Sequence, residues 1–474
     1  MHKIYGMKIF LHTLFLFIAI DGLAQKNISI ISGPMLGHTE LRTAKVWIQL
    51  SKETPALYLS YQKKNDKSSM SKKISAYNQT FNTGIVEAQN TFGLYNIKFT
   101  LTALDPGTTY TYAIGIKSTP SLPLITGEFT TQENWQWRKP VPDFSFITGS
   151  CAYFNEPLYD RNAKPYGGDS SIFETMAKEK SAFMLWLGDN WYTRPADYFS
   201  EWGLNYRAMR DRSLPVLKNF LKAMPQYAIW DDHDYGPNDA DKSYVLKDAS
   251  RKVFMNYWSN PSYGENGQGI YTKITWNDVD VFMLDDRWFR SNDDLKDSIN
   301  GQPNINKKMF GEAQMEWLKN ALVNSNNNPN ISFRIIATGS QVLNPLSPWD
   351  CFRHFPAEYD ELMSFIEDNK INGIVFLTGD RHHSEIIKKQ RQNAYTLYDI
   401  TASPFTSGVA KTNGAEINNT YRVGSETDAQ NYARISFTGA GKNRKMTTEF
   451  LGVKGELLGT WSILLSEISC SPEK

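Results

Sequence analysis

The stretch FMLWLGDNWY, residues 183–192, begins as an apolar run and ends as a polar turn. The switch from apolar to polar residues indicates the kind of fold that the chain adopts. A run of four or five apolar residues is typical of a buried strand, and Gly188 permits a tight turn after it. Asp189 and Tyr192 fall just beyond the carboxyl end of that strand. In layered α/β folds, ligands bind beyond the carboxyl ends of the strands. The stretch therefore predicts a strand that presents polar side chains to a site.

The same pattern occurs three more times along the chain. Phe144–Thr148 leads into Gly149-Ser150-Cys151, Tyr227–Trp230 leads into Asp231-Asp232-His233-Asp234, and Ile374–Thr378 leads into Gly379-Asp380-Arg381-His382-His383. We expect the four strand ends to converge on one site. Carboxylates favour hard cations whereas thiolate and imidazole favour transition metals, so the site could hold two different ions. Two cations can clamp a phosphoryl group and activate a water, which favours a two-metal hydrolase.

Each cluster also has a purely structural interpretation. Asp231 and Asp232 could cap a helix, and Cys151 could be an inert buried thiol. Buried Asp, His and Cys side chains are costly without partners, and all four clusters follow apolar runs. The metal-site interpretation is therefore favoured for the set as a whole.

Composition limits the class of protein. The chain has 474 residues, 41% of them hydrophobic, which predicts two to four folded domains in an α/β protein. Its formal charge is +1, which argues against a nucleic-acid partner. Three cysteines, Cys151, Cys351 and Cys470, do not make a disulfide framework.

The first 24 residues predict a secretory signal peptide. Lys3 and Lys8 precede an apolar run, Ile9–Ile20, and cleavage is expected near Ala24. The alternative, an anchoring helix, needs about 20 apolar residues, and this run is shorter. No later segment is a candidate membrane span. We therefore expect a secreted or periplasmic protein.

Residues 25–132 predict a small β-sandwich. Alternating segments at 44–50, 56–62, 95–101 and 110–116 indicate antiparallel strands. The turn 103–110 resembles the late hairpin of fibronectin type III and immunoglobulin-like sandwiches. Trp135 and Trp137, in a linker over 133–142, are expected to pack the sandwich against its neighbour. Residues 143–474 then form a catalytic domain of packed helices and sheets.

Five motifs carry a resemblance to a known family. They are GSC at 149–151, LGDNWY at 187–192, WDDHDYGPND at 230–239, LDDR at 284–287 and GDRHHSE at 379–385. With them, the sequence from about Gly33 to Leu465 resembles the PhoD-like (alkaline phosphatase D) family of the metallophosphoesterase superfamily. The resemblance implies a four-layered α/β/β/α core, an N-terminal β-sandwich, and hydrolysis of phosphate esters with calcium and ferric iron.

The resemblance also implies roles for individual residues. The implied metal ligands are Cys151, Asp189, Tyr192, Asp231, Asp232, Asn238, Asp380 and His382, and the implied catalytic residues are His233, Arg381 and His383. Asp189 would bridge the two metals, and Cys151, Tyr192 and His382 would lie on the iron side. Asp232, Asp380 and Asn238 would bind the calcium, and His233 would assist the leaving group. Arg287 and Arg381 could hold phosphate oxygens with their planar guanidinium groups, although Arg287 could instead form a structural ion pair.

Two segments depart from the family pattern. The stretch 335–341 lacks the superfamily's metal-binding His, so Gln341 or Asn344 could contact the site or only line it. The family's usual Asn-Phe-Gly is Asn-Tyr-Ala at 431–433, which changes one pocket wall.

The favoured function is an exported metal-dependent phosphoesterase that acts on a small-molecule mono- or diester by attack of a metal-bound hydroxide. One alternative keeps the metals and hydrolyses another ester, such as a sulfate or phosphonate. Another is a non-catalytic surface protein whose sandwich binds glycan.

Overall fold

The computed structural model describes residues 30–51, 57–65, 72–75, 84–116, 125–160, 164–348, 350–392 and 394–470. The predicted signal peptide lies outside these ranges.

Antiparallel strands make up the first part of the described chain. They are β1 Ile30–Thr39, β2 Ala44–Leu50, β3 Leu57–Lys63, β4 Lys72–Ser75, β5 Gly84–Thr91, β6 Leu94–Leu101, β7 Thr109–Ile116 and β8 Ile125–Thr130. They form two four-stranded sheets, ordered β1-β2-β6-β5 and β4-β3-β7-β8. One buried cluster draws Val46 and Phe99 from the first sheet and Leu59 and Ile114 from the second. The strands predicted at 44–50, 95–101 and 110–116 are confirmed.

The rest of the chain alternates strands and helices. The strands are β9 Phe144–Gly149, β10 Met184–Leu187, β11 Gln226–Ile229, β12 Thr272–Trp276, β13 Val279–Met283, β14 Ser298–Ile299, β15 Gln302–Pro303, β16 Phe333–Thr338, β17 Ile374–Thr378, β18 Glu385–Lys389, β19 Leu397–Thr401, β20 Asn431–Thr438, β21 Lys445–Gly452 and β22 Leu457–Leu464. The α-helices are α1 Ile172–Met176, α2 Glu201–Arg212, α3 Leu217–Ala223, α4 Asp232–Tyr235, α5 Lys247–Tyr257, α6 Gly311–Asn326 and α7 Pro356–Asp368. Short 3₁₀ helices cover Phe352–His354, Gly414–Asn418, Gly441–Asn443 and Leu465–Ile468.

Two six-stranded sheets organise this part, and the chain is a mixed α/β protein. Their orders are β11-β10-β9-β20-β21-β22 and β12-β13-β16-β17-β19-β18. Strands β9, β10 and β11 run parallel, as do β13, β16, β17 and β19. Parallel neighbours bring their carboxyl ends to one edge of a sheet. The apolar runs predicted as strands at 144–148, 183–187, 227–230 and 374–378 are confirmed as β9, β10, β11 and β17.

One large apolar cluster lies between these elements and includes side chains from both six-stranded sheets, such as Leu185 and Ile336. Helices α3 and α7 contribute Leu217 and Leu362 to it. Trp137 does not pack as expected, since it is 92% exposed in a turn at φ +60° that carries its ring into solvent. That expectation was wrong for Trp137.

The sheet β1-β2-β6-β5 packs against the α/β part of the chain and is hydrogen-bonded to it. Trp47 belongs to the large cluster and donates from Nε1 to the Asn256 carbonyl at 2.8 Å, while Gln49 Nε2 donates to Tyr257 OH at 2.7 Å. Both partners lie on α5. The backbone N–H of Thr39 donates to Tyr227 OH of β11 at 3.1 Å. Across the described residues, no helix combines the length and apolarity needed to cross a membrane.

Candidate metal centre

Three turns at strand ends adopt an uncommon backbone conformation. Cys151 after β9 has φ +62°, Asp189 after β10 has φ +51°, and Asp380 and His382 after β17 have φ +64° and +57°. A residue other than glycine in this region costs about 1–3 kcal/mol and persists only where its surroundings enforce it. Such outliers cluster at functional sites, so these turns support a site at the strand ends predicted from the sequence.

The first ligand group combines Cys151, Asp189 and His382. One ligand atom from each lies within 4.8 Å of the other two, and Cys151 Sγ is 3.6 Å from Asp189 Oδ2. Tyr192 OH lies 3.2 Å from His382 Nε2, so the phenol adjoins the group. Thiolate and imidazole donors suit a transition metal. The four residues predicted for the iron side therefore lie together.

The second group combines Asp189, Asp232 and His233, again within 4.8 Å of one another. Asp232 and His233 begin α4 directly after β11, and the backbone N–H of His233 donates to Asp189 Oδ1 at 3.3 Å. Asp189 is thus shared by both groups. A carboxylate in this position can bind two cations at once, which is the bridging role expected for it.

Burial shifts the pKa values of the acidic groups in the two ligand groups. Burial and the neighbouring Asp232 raise the pKa of Asp189 well above its usual value. Burial raises the pKa of Asp232 too, but His233 and Arg287 outweigh it and hold that pKa below its usual range. Burial raises the pKa of the Cys151 thiol to about 12, so its thiolate needs a cation nearby to form. Cations bound here would displace the protons of Asp189 and Cys151 and compensate the resulting anions, so the donor set fits two cations.

His233 has an imidazole with one free nitrogen. Its ring packs at a tilt against Tyr192 with centroids 4.1 Å apart, and burial lowers its pKa by more than the neighbouring Asp232 raises it. Nδ1 is buried and has no hydrogen-bond partner among the described residues. A neutral imidazole can accept through one nitrogen and donate through the other, so His233 can serve a cation or a substrate oxygen.

Asp231 lies in an ion pair and outside both ligand groups found in the described ranges. Its Oδ1 is 2.5 Å from Arg287 Nη2, and it also accepts from the Asp232 N–H as the cap of α4. Arg287 also pairs with Asp350 at 2.5 Å. The guanidinium is fully buried between these carboxylates, so Arg287 forms the structural ion pair considered for it.

Arg381 and His383 lie on the wall of a cavity over the two ligand groups. Arg381 Nη2 pairs with Glu416 at 2.7 Å, and Nη1 donates to Gln341 Oε1 at 2.9 Å. Asn344 in turn donates to Glu416 Oε1 at 2.8 Å. Gln341 and Asn344 therefore help to hold Arg381 in place. His383 is buried, with Nε2 3.5 Å from Glu385.

Asp380 and Asn238 also line this cavity, and in the described part of the chain the Asp380 carboxyl group belongs to neither ligand group. The Asp380 carbonyl accepts from Cys151 Sγ at 3.6 Å, and burial together with Asp350 raises the pKa of its carboxyl group to about 7. Asn238 is exposed and donates to Asp239 at 2.6 Å, while the Asp239 N–H donates to Asp232 Oδ2 at 2.8 Å. The loop of Asn238 thereby holds Asp232.

Two contacts escaped the sequence analysis. Tyr166 OH lies 2.9 Å from His382 Nδ1, and Ser403 Oγ donates to Cys151 Sγ at 3.2 Å. Ser403 follows β19, so the rule applied to the other four strand ends could have found it. Tyr166 lies in an irregular loop without such a signal.

The cavity over the two groups has a volume of about 650 Å³. Its floor contains Asp189 and Asp232, and its walls contribute the cationic side chains of Lys307, Arg381 and Lys411. The lining also carries a larger number of carboxyl groups, such as Asp293, Asp297 and Asp350, so the cavity would suit an anionic substrate when cations occupy the two ligand groups.

Comparison with known proteins gives a family and a relative. The profile of the PhoD-like phosphatase family matches residues 146–449. Alkaline phosphatase D of Bacillus subtilis (strain 168) is 26% identical over 288 residues, which cover 52% of this chain and 46% of that protein. The chain thus spans about half the length of this curated relative. A solved structure of astrotactin-2, a perforin-like vertebrate membrane protein, matches over 21% of each chain at 8% identity with a TM-score of 0.17, an overlap too slight to inform the fold.

Proposed function

The chain belongs to the PhoD-like phosphatase family, and from this premise we propose that it is an exported, metal-dependent phosphoesterase that hydrolyses phosphate mono- or diesters. The observation that carries the proposal is the Asp189 carboxylate, shared by two ligand groups at the floor of one cavity. A pair of cations held by one carboxylate can act together on a single phosphoryl group.

We propose that the two groups hold different metals. Cys151, Asp189, Tyr192 and His382 offer thiolate, phenolate and imidazole donors, which suit ferric iron. Asp189 and Asp232, with Asp380 and Asn238 nearby, offer oxygen donors, which suit calcium. When bound, the cations would neutralise phosphoryl oxygens and lower the pKa of a water near them.

The side chains around the metals have their own tasks in this proposal. His233 lies beside Asp232 and can give a proton or hydrogen bond to the departing alcohol oxygen. Arg381 is held by Glu416 and Gln341 and keeps a fixed positive charge on the cavity wall. In the overall reaction a water oxygen bonds to phosphorus, the ester P–O bond breaks, and a proton from water ends on the alcohol.

We also propose the finer architecture and the location. Residues 25–132 would form an immunoglobulin or fibronectin III-like sandwich, and residues 143–474 a four-layered α/β/β/α core with the two six-stranded sheets inside. The shared core of the two N-terminal sheets supports the first part. Cleavage after residue 24 would release the chain outside the cytoplasm, and N-terminal sequencing of exported protein tests this.

The test of the function uses the purified full chain with nitrophenyl phosphate and bis-nitrophenyl phosphate. We expect hydrolysis of at least one ester, its loss after chelation, and recovery when calcium is returned. Elemental analysis should find iron and calcium in the active protein.

Asp189→Asn should lose both metals and the activity. Asp278→Asn removes another buried carboxylate, paired with Arg444 at 2.7 Å, and should keep both metals. Full activity in protein freed of metal would contradict the proposal.

A further inference from the structure

A second cavity, of about 680 Å³, adjoins the metal centre. We call it the aromatic pocket, and its wall includes Tyr153, Tyr159, Tyr166, Tyr192, Tyr198 and His233. Tyr166, His233 and Asn238 line both this pocket and the cavity over the metal groups. A molecule whose phosphoryl group lies beside His233 can therefore extend into the aromatic pocket.

The rings of the wall contact one another in series. Tyr153 meets Tyr166 and Tyr192 edge to face, with centroids 4.9 Å and 5.1 Å apart. Tyr192 in turn packs at a tilt against His233. Rings held by their neighbours in this way offer a preformed surface, so binding an apolar group here orders few side chains.

Two charged groups of the wall, Asp160 and Arg194, pair with each other, and a further one, Lys164, is exposed. Asp160 accepts from Tyr153 OH at 2.7 Å and from Arg194 Nη2 at 3.1 Å. The Arg194 guanidinium lies 4.1 Å from the centre of the Tyr153 ring and also donates to the Phe154 carbonyl at 2.9 Å. Because Asp160 and Arg194 satisfy one another, the pocket attracts an apolar molecule more than a charged one.

Two large apolar side chains that adjoin wall residues in the sequence are exposed. Leu158 is 82% exposed and lies between Pro157 and Tyr159, which both belong to the wall. Phe199 is 79% exposed and packs on Tyr198 with centroids 4.8 Å apart. Exposed apolar residues grouped beside a pocket mark a binding surface.

We propose that the aromatic pocket binds the alcohol part of the substrate, and that the preferred substrates are phosphate esters of aromatic or similarly large apolar alcohols. This inference rests on the proposed function, which places the phosphoryl group at the metal centre.

The first experiment compares kcat/KM for 2-naphthyl phosphate and phenyl phosphate, whose alcohols are of similar acidity but differ in size. The metal-loaded wild type should favour the naphthyl ester by about 10-fold, the scale on which an apolar pocket discriminates. Tyr159→Ala and Tyr198→Ala should lower this ratio toward one, because both side chains line the pocket. Both side chains are partly exposed, so the fold should tolerate the changes. Tyr421→Ala is the control, because Tyr421 is 45% exposed against 44% for Tyr159 and lies outside both cavities.

A ratio near one in the wild type, or one unchanged by both pocket variants, overturns the proposal. A binding measurement separates this result from failure of the proposed function. Calorimetry with 2-naphthylmethylphosphonate, which is not hydrolysed, should show about 10-fold weaker binding to Tyr159→Ala than to wild type or Tyr421→Ala. If that difference appears while no phosphate ester is hydrolysed, the pocket stands and the phosphoesterase proposal fails. Equal binding by all three proteins overturns the pocket whatever the activity.

Discussion

Cys151 joins a strained backbone, complete burial and contact with the shared carboxylate in one residue. Cys151→Ala should remove one of the two metals and lower activity by more than about 100-fold, since even changes beside a metal ligand cost 10–100-fold in affinity. Elemental analysis together with kcat measures both effects.

Cys351 provides the control for that change. It is also a buried free thiol, and burial raises the pKa of Cys351 to about 12, as it does for Cys151. Cys351→Ala should keep both metals. Equal metal content in the two variants would remove Cys151 from the ligand set.

His233 should act on the substrate more than on the metals. His233→Ala should keep near-normal metal content and lose about 10²–10⁴ in kcat, the range for a group that transfers a proton in the transition state. The loss should be larger for alkyl esters than for nitrophenyl esters, because nitrophenolate leaves with little help from an acid. Metal loss in proportion to activity would instead make His233 a ligand.

The meeting of side chains from several strand ends was predictable from the sequence, but the contacts that each of them makes were not. Cys151 and Asp189 follow the neighbouring parallel strands β9 and β10, so their meeting follows from strand direction. His382 follows β17 in the other six-stranded sheet and meets them because of how the two sheets pack. The side chains that Asp231 and His382 contact could not be predicted in this way. Arg287 is 56 residues from Asp231 and Tyr166 is 216 residues from His382, and no periodic signal spans such distances. Only the folded chain shows that Arg287 is structural.

At the scale of elements, the turn after β10 depends on Gly188. Its φ is +91°, and a Cβ there would lie 2.5 Å from the Asp231 Cβ. Gly188→Ala should therefore combine left-handed backbone strain with a clash and cost about 2–5 kcal/mol of unfolding free energy. It should also displace Asp189 and weaken metal binding. Urea denaturation and elemental analysis measure the two effects.

Gly267→Ala isolates the backbone contribution. Gly267 has φ +76° and nothing within 4 Å of an added Cβ, so its substitution should cost only about 1–2 kcal/mol and leave the metals in place. Equal costs at the two positions would show that the contact with Asp231 is unimportant.

Strand boundaries were predictable to within about one residue because buried strands of the sheets are short, continuous apolar runs. The order of the strands within each sheet was not. The pairing of β9 with β20, for example, joins segments with no feature in common beyond apolarity. Trp137 shows the same limit, since an apolar side chain in a linker does not reveal which way its turn points.

At the scale of the whole molecule, Lys98 links the first sheet to the rest of the chain. It lies on β6 and donates from Nζ to the Met255 carbonyl of α5 at 2.5 Å. Burial lowers the pKa of Lys98 from 10.5 to about 7. Between pH 7 and 10 the unfolded chain therefore holds more protons than the folded one, so this lysine makes stability rise with pH.

Between pH 7 and 10, Lys98→Met should lower the increase of the unfolding free energy with pH by about 1 kcal/mol per pH unit. Below pH 7 the substitution should leave the pH dependence of the unfolding free energy unchanged. Unfolding free energies from urea titrations at several pH values measure it. Lys218→Met changes an exposed lysine on α3 and should leave the slope as in the wild type. Parallel curves for Lys98→Met and wild type would show that Lys98 is charged and compensated in the folded chain.

The place of β9 between β10 and β20 determines when the metal centre can form. Phe144 of β9 pairs with Phe437 of β20, about 290 residues later in the chain. At about 5–20 residues per second, a ribosome needs roughly 15–60 seconds to supply that neighbour. Until then one edge of β9 stays unpaired, and the turn that aims Cys151 lacks its support. For the metal-dependent enzyme proposed above, metal insertion would therefore wait for almost the whole chain, and the ions acquired would be those of the compartment in which folding ends.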